Sequence, residues 1–512
     1  MKKRILTLAV FFLVFAFASV AFLGGLVSAA PAAYDTNNNY SGTAPKYVFL
    51  FIGDGMSTPQ VNATQMYLGN QGNPQEPAIK TLEFTKFPGV GSADTFDAES
   101  FIPDSASTGT AIATGNKTLG GIINMDPAKK ISYEPISKKM KKAGYKVGVI
   151  TTVTLDHATP AVFYGNEPSR GNYYNLATQL VNSGFDFFGG GYFLDPDGKK
   201  STTKDPVNIL QQAKNKGYKV ATTKDDILKL TSASGKVIAL DPSAITASTD
   251  SYAMPYEIDR TENQLSLADF VRKGIEVLDN PKGYFMMVEA GKIDWACHAN
   301  DAAASIHDTI ALNDAVKEAM KVYQAHPSET LIIVTGDHET GGMTIGFAGT
   351  EYSTFFEKLE KQNQSYVAFD KIVADYKSKT AANKAKLEDL LPQIKAAYGL
   401  IAPTDADAKG TPELVLNDYE MVKLRDALKQ TMETAKGSQV GPDYLLYGYM
   451  SEPLTVTCNH ILENKAGISF TTYSHSGLAV PVYAIGAGYQ LFYGAYDDTD
   501  IFKKLAAITK VK

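Results

Sequence analysis

Four side chains of the metal-binding type come at the ends of short apolar runs in the sequence. Asp54 closes the first such run, Glu289 ends a later one, and Asp337 and His338 close a third. If these runs are parallel strands of one sheet, their carboxyl ends meet at one edge, where α/β proteins bind ligands. Carboxylates gathered there repel one another unless cations lie between them. The positions therefore predict a metal site.

A second group of the same type follows Glu289. Asp294 and His298 are four positions apart, so on a helix they share one face and can chelate one ion. His475, just before the last apolar run, supplies another imidazole. Carboxylate and imidazole ligands suit catalytic zinc, whereas sites made only of oxygen suit magnesium. Any one of these histidines alone could be an ordinary hydrogen-bonded residue. Lys292 is expected on a solvated turn.

Ser105 is the candidate nucleophile. Pro103 and Asp104 are typical of a helix start, so Ser105 falls in the first turn of the helix. The free N–H groups of such a turn can bind a phosphate. The same local sequence is also compatible with a simple N-cap at Asp104 or Ser105.

The elements that position these residues are short strands alternating with helices. Strands are predicted over 47–52, 145–153, 284–288, 331–335 and 480–485. Helical patterns at 136–143 and 302–325 lie between them. This alternation predicts an α/β fold with a central, mostly parallel sheet that is flanked by helices on both faces.

Residues 351–463 differ from the rest of the chain. They are rich in Lys, Glu and Ala, with helical stretches at 380–397 and 419–435. We interpret them as a helical insertion in a core domain made of residues 46–350 and 464–512. A connection of this length is usually functional or a subdomain of its own.

Residues 1–29 have the pattern of a signal peptide. A basic start and an apolar run are followed by small residues at Val27, Ser28 and Ala29. The apolar run approaches the length of a membrane span, so an uncleaved anchor is the alternative. With cleavage, an N-terminal arm over 30–45 begins a secreted, periplasmic or extracellular protein with no stable membrane association.

Charge and cysteine content exclude several classes. The 512 residues carry a formal net charge of −6, which gives no reason to expect nucleic-acid binding. Cys297 and Cys458 are too few for a cysteine-based zinc site. A bridge between the two is arithmetically possible, but Cys297 lies inside a candidate metal motif.

Taken together, the motifs resemble those of the alkaline phosphatases, in the order of that family. The resemblance runs from the first predicted core strand to the last and omits the insertion. The matching segments are Gly-Asp-Gly-Met at 53–56, Asp-Ser-Ala-Ser-Thr-Gly at 104–109, His-Ala-Thr-Pro at 157–160, Arg170, the cluster at 289–298, Gly-Asp-His-Glu-Thr-Gly-Gly at 336–342 and His-Ser-Gly-Leu at 475–478.

The resemblance implies hydrolysis of phosphate monoesters through a covalent phosphoserine at Ser105, with Arg170 binding phosphate oxygens. It also implies two zinc ions and one magnesium ion per chain. The ligands of the first zinc are Asp294, His298 and His475. The ligands of the second zinc are Asp54, Asp337 and His338. The third site comprises Asp54, Thr159 and Glu289.

Two positions depart from the pattern of family members that carry Asp and Lys there. His157 can coordinate the third metal or hydrogen-bond to its water, which leaves that metal open between magnesium and zinc. Trp295 replaces a cation that can reach phosphate through water, so we expect weaker product binding and faster release. Packing at the rim of the site is the alternative for Trp295.

Other interpretations remain less favoured. Sulfatases need a different motif around the nucleophile, and related phosphodiesterases tend to use threonine and lack the arginine that matches Arg170. A non-catalytic secreted binding protein would have lost a ligand or the nucleophile. In the family, insertions at this place form a crown that often meets a partner subunit, which predicts a homodimer.

Overall fold

The computed structural model of the chain is built on a ten-stranded sheet. It describes residues 38–71, 77–248, 251–435, 437–448 and 451–512. The predicted signal peptide and residues 30–37 of the predicted arm lie outside the described residues, while residues 38–45 of the arm form neither helix nor strand.

The strands are short and mostly buried. Their bounds are β1 Tyr47–Gly53, β2 Gly89–Asp94, β3 Lys146–Thr151, β4 Phe187–Gly190, β5 Lys219–Ala221, β6 Val237–Leu240, β7 Tyr284–Ala290, β8 Thr330–Gly336, β9 Glu339–Thr340, β10 Thr344–Ile345, β11 Ile468–Ser469, β12 His475–Ser476, β13 Val480–Gly486 and β14 Gly494–Asp497.

Helices connect the strands, and none within the described ranges is long and apolar enough to cross a membrane. Their bounds are α1 Thr58–Asn70, α2 Ser105–Thr114, α3 Ile136–Lys142, α4 Ala158–Ala161, α5 Tyr173–Asn182, α6 Ile209–Asn215, α7 Lys224–Leu228, α8 Pro242–Thr246, α9 Leu267–Leu278, α10 Lys292–His298, α11 Ala302–Ala325, α12 Tyr366–Lys379, α13 Leu391–Tyr398, α14 Asp418–Glu433, α15 Pro442–Tyr447, α16 Pro453–Ala466 and α17 Thr499–Thr509.

The strand order of the main sheet is β14-β2-β13-β8-β1-β7-β3-β4-β6-β5. The seven strands from β8 to β5 run parallel, whereas β13 is antiparallel to both of its neighbours. Two small antiparallel pairs, β9 with β12 and β10 with β11, lie outside this sheet. The predicted mostly parallel sheet is confirmed.

Helices cover both faces of the sheet, and strand β1 shows why. Val48, Leu50 and Ile52 belong to one apolar cluster, while Phe49 and Phe51 belong to another. The first cluster includes residues of α2, α5 and α17, and the second includes residues of α9 and α11. A strand buried on both faces is apolar at every position, which is the pattern in its sequence.

All five predicted strands form, as β1, β3, β7, β8 and β13, and the two predicted core helices form as α3 and α11. The sequence did not reveal β2, β4, β5, β6 and β14, which are only three to six residues long. Strands of this length depend on their neighbours in the sheet more than on their own composition.

The predicted helix over 380–397 is wrong as a single element. The chain there forms short 3-10 turns at Ala382–Lys384 and Leu387–Asp389 before α13 begins at Leu391. Pro392 lies in the first turn of α13, where its missing N–H is tolerated. A helix that ran through from residue 380 would place this proline in its interior and break there.

Helices α12 to α15 and most of α16 lie between residues 351 and 463. Their apolar side chains, such as Phe369 and Leu424, share a third cluster with Ala63 of α1 and Ile306 of α11. Helix α16 continues to Ala466, past the boundary expected at residue 463. The division into a core and an insertion remains a prediction.

Glu452 is a buried carboxylate at the amino end of α16. Its Oε2 accepts hydrogen bonds from the N–H of Thr455 at 2.9 Å and from the hydroxyl of Thr455 at 3.2 Å. Burial and the nearby Asp370 raise the pKa of Glu452 from 4.5 to about 7. The folded chain therefore binds this proton more tightly than the unfolded chain. The resulting stabilisation is full below about pH 4.5 and is lost as the pH rises through 7.

Replacing this carboxyl by an amide should remove that pH dependence. We expect Glu452→Gln to gain roughly 2–3 kcal/mol of unfolding free energy relative to wild type between pH 5 and pH 8, because glutamine cannot ionise. Denaturant unfolding at both pH values measures the difference. Glu388→Gln, at a side chain 60% exposed, is the matched control. Equal pH dependence in wild type and Glu452→Gln would contradict the prediction.

Candidate metal and phosphate site

Strand register brings the predicted acidic residues to one edge of the sheet. Strand β1 lies between β7 and β8, with Gly53 paired to Ala290 on one side and to Gly336 on the other. Because all three strands are parallel, their carboxyl ends coincide. Asp54 and Asp337, which follow β1 and β8, therefore lie beside the carboxyl end of β7.

Two glycines let the loops after β1 and β8 approach each other. A Cβ atom at Gly336 would lie 2.0 Å from the carbonyl oxygen of Met56, so no other residue fits there. Gly55 adopts a positive φ of 73°, which favours glycine. Its N–H donates to Asp337 Oδ1 at 3.2 Å. The close turn thus orients one of the candidate ligands.

The first cluster is Asp294, His298 and His475. Helix α10 presents Asp294 and His298, and the pairing of β12 with β9 brings in His475. Asp294 Oδ1 lies 3.4 Å from His298 Nε2 and 3.6 Å from His475 Nε2, and the two Nε2 atoms are 3.2 Å apart. Ligands bound to one tetrahedral zinc lie about 3.3 Å from one another. These three atoms have that spacing.

The second ring nitrogen of each histidine in this cluster is already engaged. His298 Nδ1 lies 2.6 Å from the carbonyl oxygen of Tyr473, and His475 Nδ1 lies 2.7 Å from that of Pro103. A carbonyl accepts only from a protonated nitrogen, so in the neutral ring each Nε2 keeps its lone pair. Such a carbonyl partner is usual behind a metal-binding histidine.

The second cluster is Asp54, Asp337 and His338, with Ser105 beside it. His338 Nε2 lies 3.3 Å from Asp54 Oδ1 and 3.5 Å from Asp337 Oδ2. It also lies 3.1 Å from Ser105 Oγ. The ring of His338 stacks on that of His475 with centroids 3.6 Å apart, so the two clusters adjoin. Ser105 Oγ thus adjoins the second cluster.

Ser105 begins α2, and Asp104 is the N-cap of that helix. The Asp104 carboxylate accepts the N–H of Ser107 at 3.0 Å, and Ser107 Oγ in turn approaches the N–H of Asp104 at 3.2 Å. This reciprocal capping fixes the first turn. The N-cap interpretation therefore holds for Asp104, while the hydroxyl of Ser105 points into the site.

The third cluster is Asp54, His157 and Glu289, each of which offers a ligand atom within 4.8 Å of the others. Thr159 donates to Asp54 Oδ2 at 3.0 Å. Thr151 on the neighbouring strand donates to Glu289 Oε2 at 2.5 Å. Threonine thus holds one oxygen of each carboxylate and leaves the other for a different partner.

Arg170 lies between the nucleophile helix and the third cluster. Its Nη1 donates to Asp104 Oδ2 at 2.8 Å, and its Nη2 lies 3.2 Å from His157 Nε2. Although burial favours the neutral form, the Asp104 carboxylate outweighs it and raises the pKa of Arg170. In turn, Arg170 and backbone N–H groups hold the pKa of Asp104 at about 2 against the effect of burial. Two of the five guanidinium N–H groups are used in this way.

The electrostatics of the clusters call for cations. Burial and the neighbouring carboxylates raise the pKa of Asp54 and Glu289 well above the ordinary range, and that of Asp337 to about 7. Asp54 Oδ1 and Glu289 Oε1 are buried and receive no hydrogen bond from the described part of the chain. Buried carboxylate oxygens that lie close together and accept no hydrogen bond are suitable ligands for divalent cations.

His338 and His157 favour the neutral form that binds metal. Burial and the nearby His475 lower the pKa of His338 well below its usual range. Burial and the Arg170 charge lower the pKa of His157 to about 3. Both rings are therefore uncharged at the pH of most assays.

Lys292 was predicted on a solvated turn, and that prediction is wrong. The side chain is fully buried, with Nζ 3.8 Å from the ring centroid of Tyr256 and 5.2 Å from that of Trp295. Aromatic faces stabilise a desolvated cation. The spacing of residues in the sequence does not reveal that Lys292 contacts these rings. The Trp295 ring in turn packs edge-on against the ring of His157, with the two ring centroids 5.8 Å apart.

Two supporting residues of the site were not predicted from the sequence. Asp104 was expected only as a possible cap, although this residue also pairs with Arg170. Thr340 donates to Asp294 Oδ1 at 2.5 Å and lies 3.3 Å from His338 Nδ1, so it links two clusters. Its place in the motif at 336–342 was the available signal. Cys297 and Cys458 are buried free thiols, and no bridge joins them.

Comparison with known proteins identifies a family for the chain. The family model for alkaline phosphatase matches residues 45–511. Alkaline phosphatase 4 of Bacillus subtilis is 28% identical over 467 residues, which cover 90% of this chain and 88% of that protein. Alkaline phosphatase 3 of the same organism is 27% identical over 509 residues, which cover 98% of this chain and 96% of that protein.

Solved structures share the fold. The cold-active alkaline phosphatase of the psychrophile Shewanella sp. superimposes with a TM-score of 0.71 at 27% identity, covering 90% of this chain and 99% of that one. The Thermus thermophilus alkaline phosphatase gives a TM-score of 0.74 at 22% identity, covering 93% of each chain. Since the family model spans nearly all the described residues, the resemblance seen in the motifs is confirmed, and the chain belongs to the alkaline phosphatase family of phosphomonoester hydrolases.

Proposed function

We propose that this phosphomonoesterase works through a covalent phosphoserine at Ser105. The observation that carries the proposal is the position of Ser105 Oγ, 3.1 Å from His338 Nε2, in the first turn of α2. The hydroxyl thus adjoins a cluster whose atoms fit a divalent cation, at a helix end whose N–H groups favour an anion.

Three ion sites follow from the clusters. We assign two zinc ions per chain to the clusters that contain imidazole. We assign magnesium, with zinc as the alternative, to the third cluster, whose ligands are Asp54, Glu289 and Thr159, with His157 coordinating directly or through water. When bound, these ions supply Lewis acidity that activates the serine hydroxyl and neutralises charge on the leaving oxygen.

The chain's own residues carry the two displacements. Ser105 Oγ attacks phosphorus, the bond to the alcohol oxygen breaks, and the alcohol leaves. The serine proton passes, through a water held at the cluster of Asp54, Thr159 and Glu289, to the departing alcohol oxygen. A second water then attacks the phosphoserine, the bond between phosphorus and Ser105 Oγ breaks, and one proton of that water returns to Ser105 Oγ as hydrogenphosphate is released. The restored hydroxyl is ready for another cycle.

Arg170 is placed to bind the phosphoryl group. Its pairing with Asp104 and His157 fixes the plane of the guanidinium and leaves N–H groups for phosphate oxygens. A planar fork of this kind matches two oxygens at once, and its charge offsets theirs. A monoester dianion presents one more charged oxygen than a diester, so this contact favours monoesters.

The cellular setting of the enzyme is part of the proposal. The amino-terminal pattern supports export with cleavage of a signal peptide and a secreted or periplasmic enzyme. The resemblance supports a homodimer in which residues 351–463 form a crown over the site. Trp295, which contacts His157, is proposed to weaken product binding because it stands where some relatives place a cation.

The nucleophile can be tested with a neighbouring serine as control. Ser105→Ala should lower the rate of p-nitrophenyl phosphate hydrolysis by on the order of a thousandfold or more, because it removes the proposed nucleophile. Ser107→Ala should retain most activity, since Ser107 only caps the same helix. Acid quenching with a ³²P-labelled substrate should trap labelled wild type and unlabelled Ser105→Ala.

Retention of the label in Ser105→Ala, or equal losses of activity in the two serine variants, would contradict a phosphoserine at this position. Hydrolysis without any labelled protein in wild type would favour direct attack by water.

The phosphate contact can be tested by comparing ester classes. Arg170→Ala should lower kcat/KM for a monoester about tenfold to a hundredfold and for bis-p-nitrophenyl phosphate much less, because the lost charge-assisted bonds involve the extra anionic oxygen. Arg260→Ala is the matched control, since Arg260 also pairs with a carboxylate, that of Glu257. Equal losses on monoester and diester in Arg170→Ala would assign the residue a purely structural role.

A further inference from the structure

Three large apolar side chains are exposed in the segments that flank the nucleophile and His475. Phe101 is 86% exposed, Ile102 53% and Leu478 45%. Single exposed apolar residues are common, but a group of them beside a functional site usually marks a binding surface. We refer to Phe101, Ile102 and Leu478 as the apolar lip.

The two segments that carry the lip residues lie close together. A Cβ atom at Gly477 would lie 3.4 Å from the carbonyl oxygen of Phe101, which places the two segments at van der Waals distance. His475 Nδ1 lies 2.7 Å from the carbonyl oxygen of Pro103. Phe101 and Leu478 therefore belong to two segments that approach each other at Gly477 and share one hydrogen bond. That hydrogen bond is made by His475, a candidate metal ligand.

The part of the lip that comprises Phe101 and Ile102 is held by a hydrogen-bonded turn. Asp97, which is itself buried, accepts the N–H groups of Glu99 and Ser100 at 2.8 and 2.7 Å. Ser100 Oγ accepts the N–H of Ile102 at 3.0 Å. The N–H of Ala98 donates to the carbonyl oxygen of Thr118 at 3.0 Å. A surface fixed in this way loses little conformational entropy when it binds a ligand.

In-line geometry places the leaving alcohol on the side of the lip. Ser105 adjoins His338 in the second cluster, and the His338 ring stacks on that of His475 in the first cluster. In an in-line displacement the leaving oxygen lies opposite the attacking oxygen. With Ser105 as nucleophile, the leaving oxygen faces the cluster of Asp294, His298 and His475, and the rest of the alcohol extends toward the segment that carries Leu478.

We infer that the apolar lip binds the aryl or alkyl part of the alcohol, and that Phe101, Ile102 and Leu478 determine a preference for phosphate monoesters of apolar alcohols. The inference rests on the proposed serine mechanism, which fixes where the alcohol leaves. The hydrogen bond between His475 and Pro103 ties the segments of the lip to the site, and on this ground we assign the substrate as its occupant. Apolar contact with the departing group stabilises the bound ester in proportion to the area removed from water.

The test compares two esters whose alcohols differ in apolar area and little in acidity, 2-phenylethyl phosphate and ethyl phosphate. The measured quantity is the ratio of their kcat/KM values, from release of inorganic phosphate. We expect wild type to favour the phenylethyl ester and Phe101→Ser and Leu478→Ser each to lower the ratio about tenfold. The value for ethyl phosphate should change less than twofold.

Tyr352→Ser is the matched control, because Tyr352 is a fully exposed aromatic residue outside the lip. Its ratio should equal that of wild type. An unchanged ratio in the lip variants, or equal losses on both esters, would overturn the inference while the serine mechanism stands. No hydrolysis of either ester by wild type would overturn both.

An exposed apolar surface can also be an interface between two copies of the chain. Size-exclusion chromatography with light scattering tests this alternative. Phe101→Ser and Leu478→Ser should keep the oligomeric state of wild type. A shift to a smaller species in these variants would show that the lip is an interface between copies of the chain, and would overturn the inference.

Discussion

Mutual repulsion of four buried carboxylates is the constraint on which the rest of the structure depends. Asp54, Glu289, Asp294 and Asp337 come from three stretches of the chain and meet at the carboxyl ends of three adjacent strands. Burial and their shared charge make such a group costly unless protons or cations neutralise it. The imidazole nitrogens beside them favour cations, because these nitrogens and the carboxylate oxygens lie 3.2 to 3.6 Å from one another, close to the spacing of ligands on one ion.

The fold supplies this arrangement through its least adaptable parts. Strand β1 is buried on both faces and lies between β7 and β8, so the register of the sheet fixes where the acids emerge. Glycines at 55 and 336 let the following loops cross closely, and Asp104 positions both the nucleophile helix and Arg170. The rigid sheet edge thus arranges the charges before any substrate binds, which is how preorganised electrostatic catalysis works.

The main acids and histidines were predictable because strand ends and motif spacing encode them. Asp54 and His338 follow apolar runs, and these runs are visible in any single sequence. Lys292 was mispredicted because its burial depends on Tyr256, which is distant in the sequence. The role of Asp104 toward Arg170 was hidden for the same reason. Short strands such as β5 were not predicted, because pairing with neighbouring strands, and not their own composition, holds them in the sheet.

The most direct test of the central claim is the number of divalent ions that each chain retains. Elemental analysis after gel filtration in metal-free buffer at pH 8 gives this number for the active wild type. We predict more than one ion per chain, and fewer in Asp337→Asn, which removes one carboxylate charge at nearly constant volume. Monoester hydrolysis by a wild type that retains less than one ion per chain would contradict the claim that these carboxylates are gathered to hold cations.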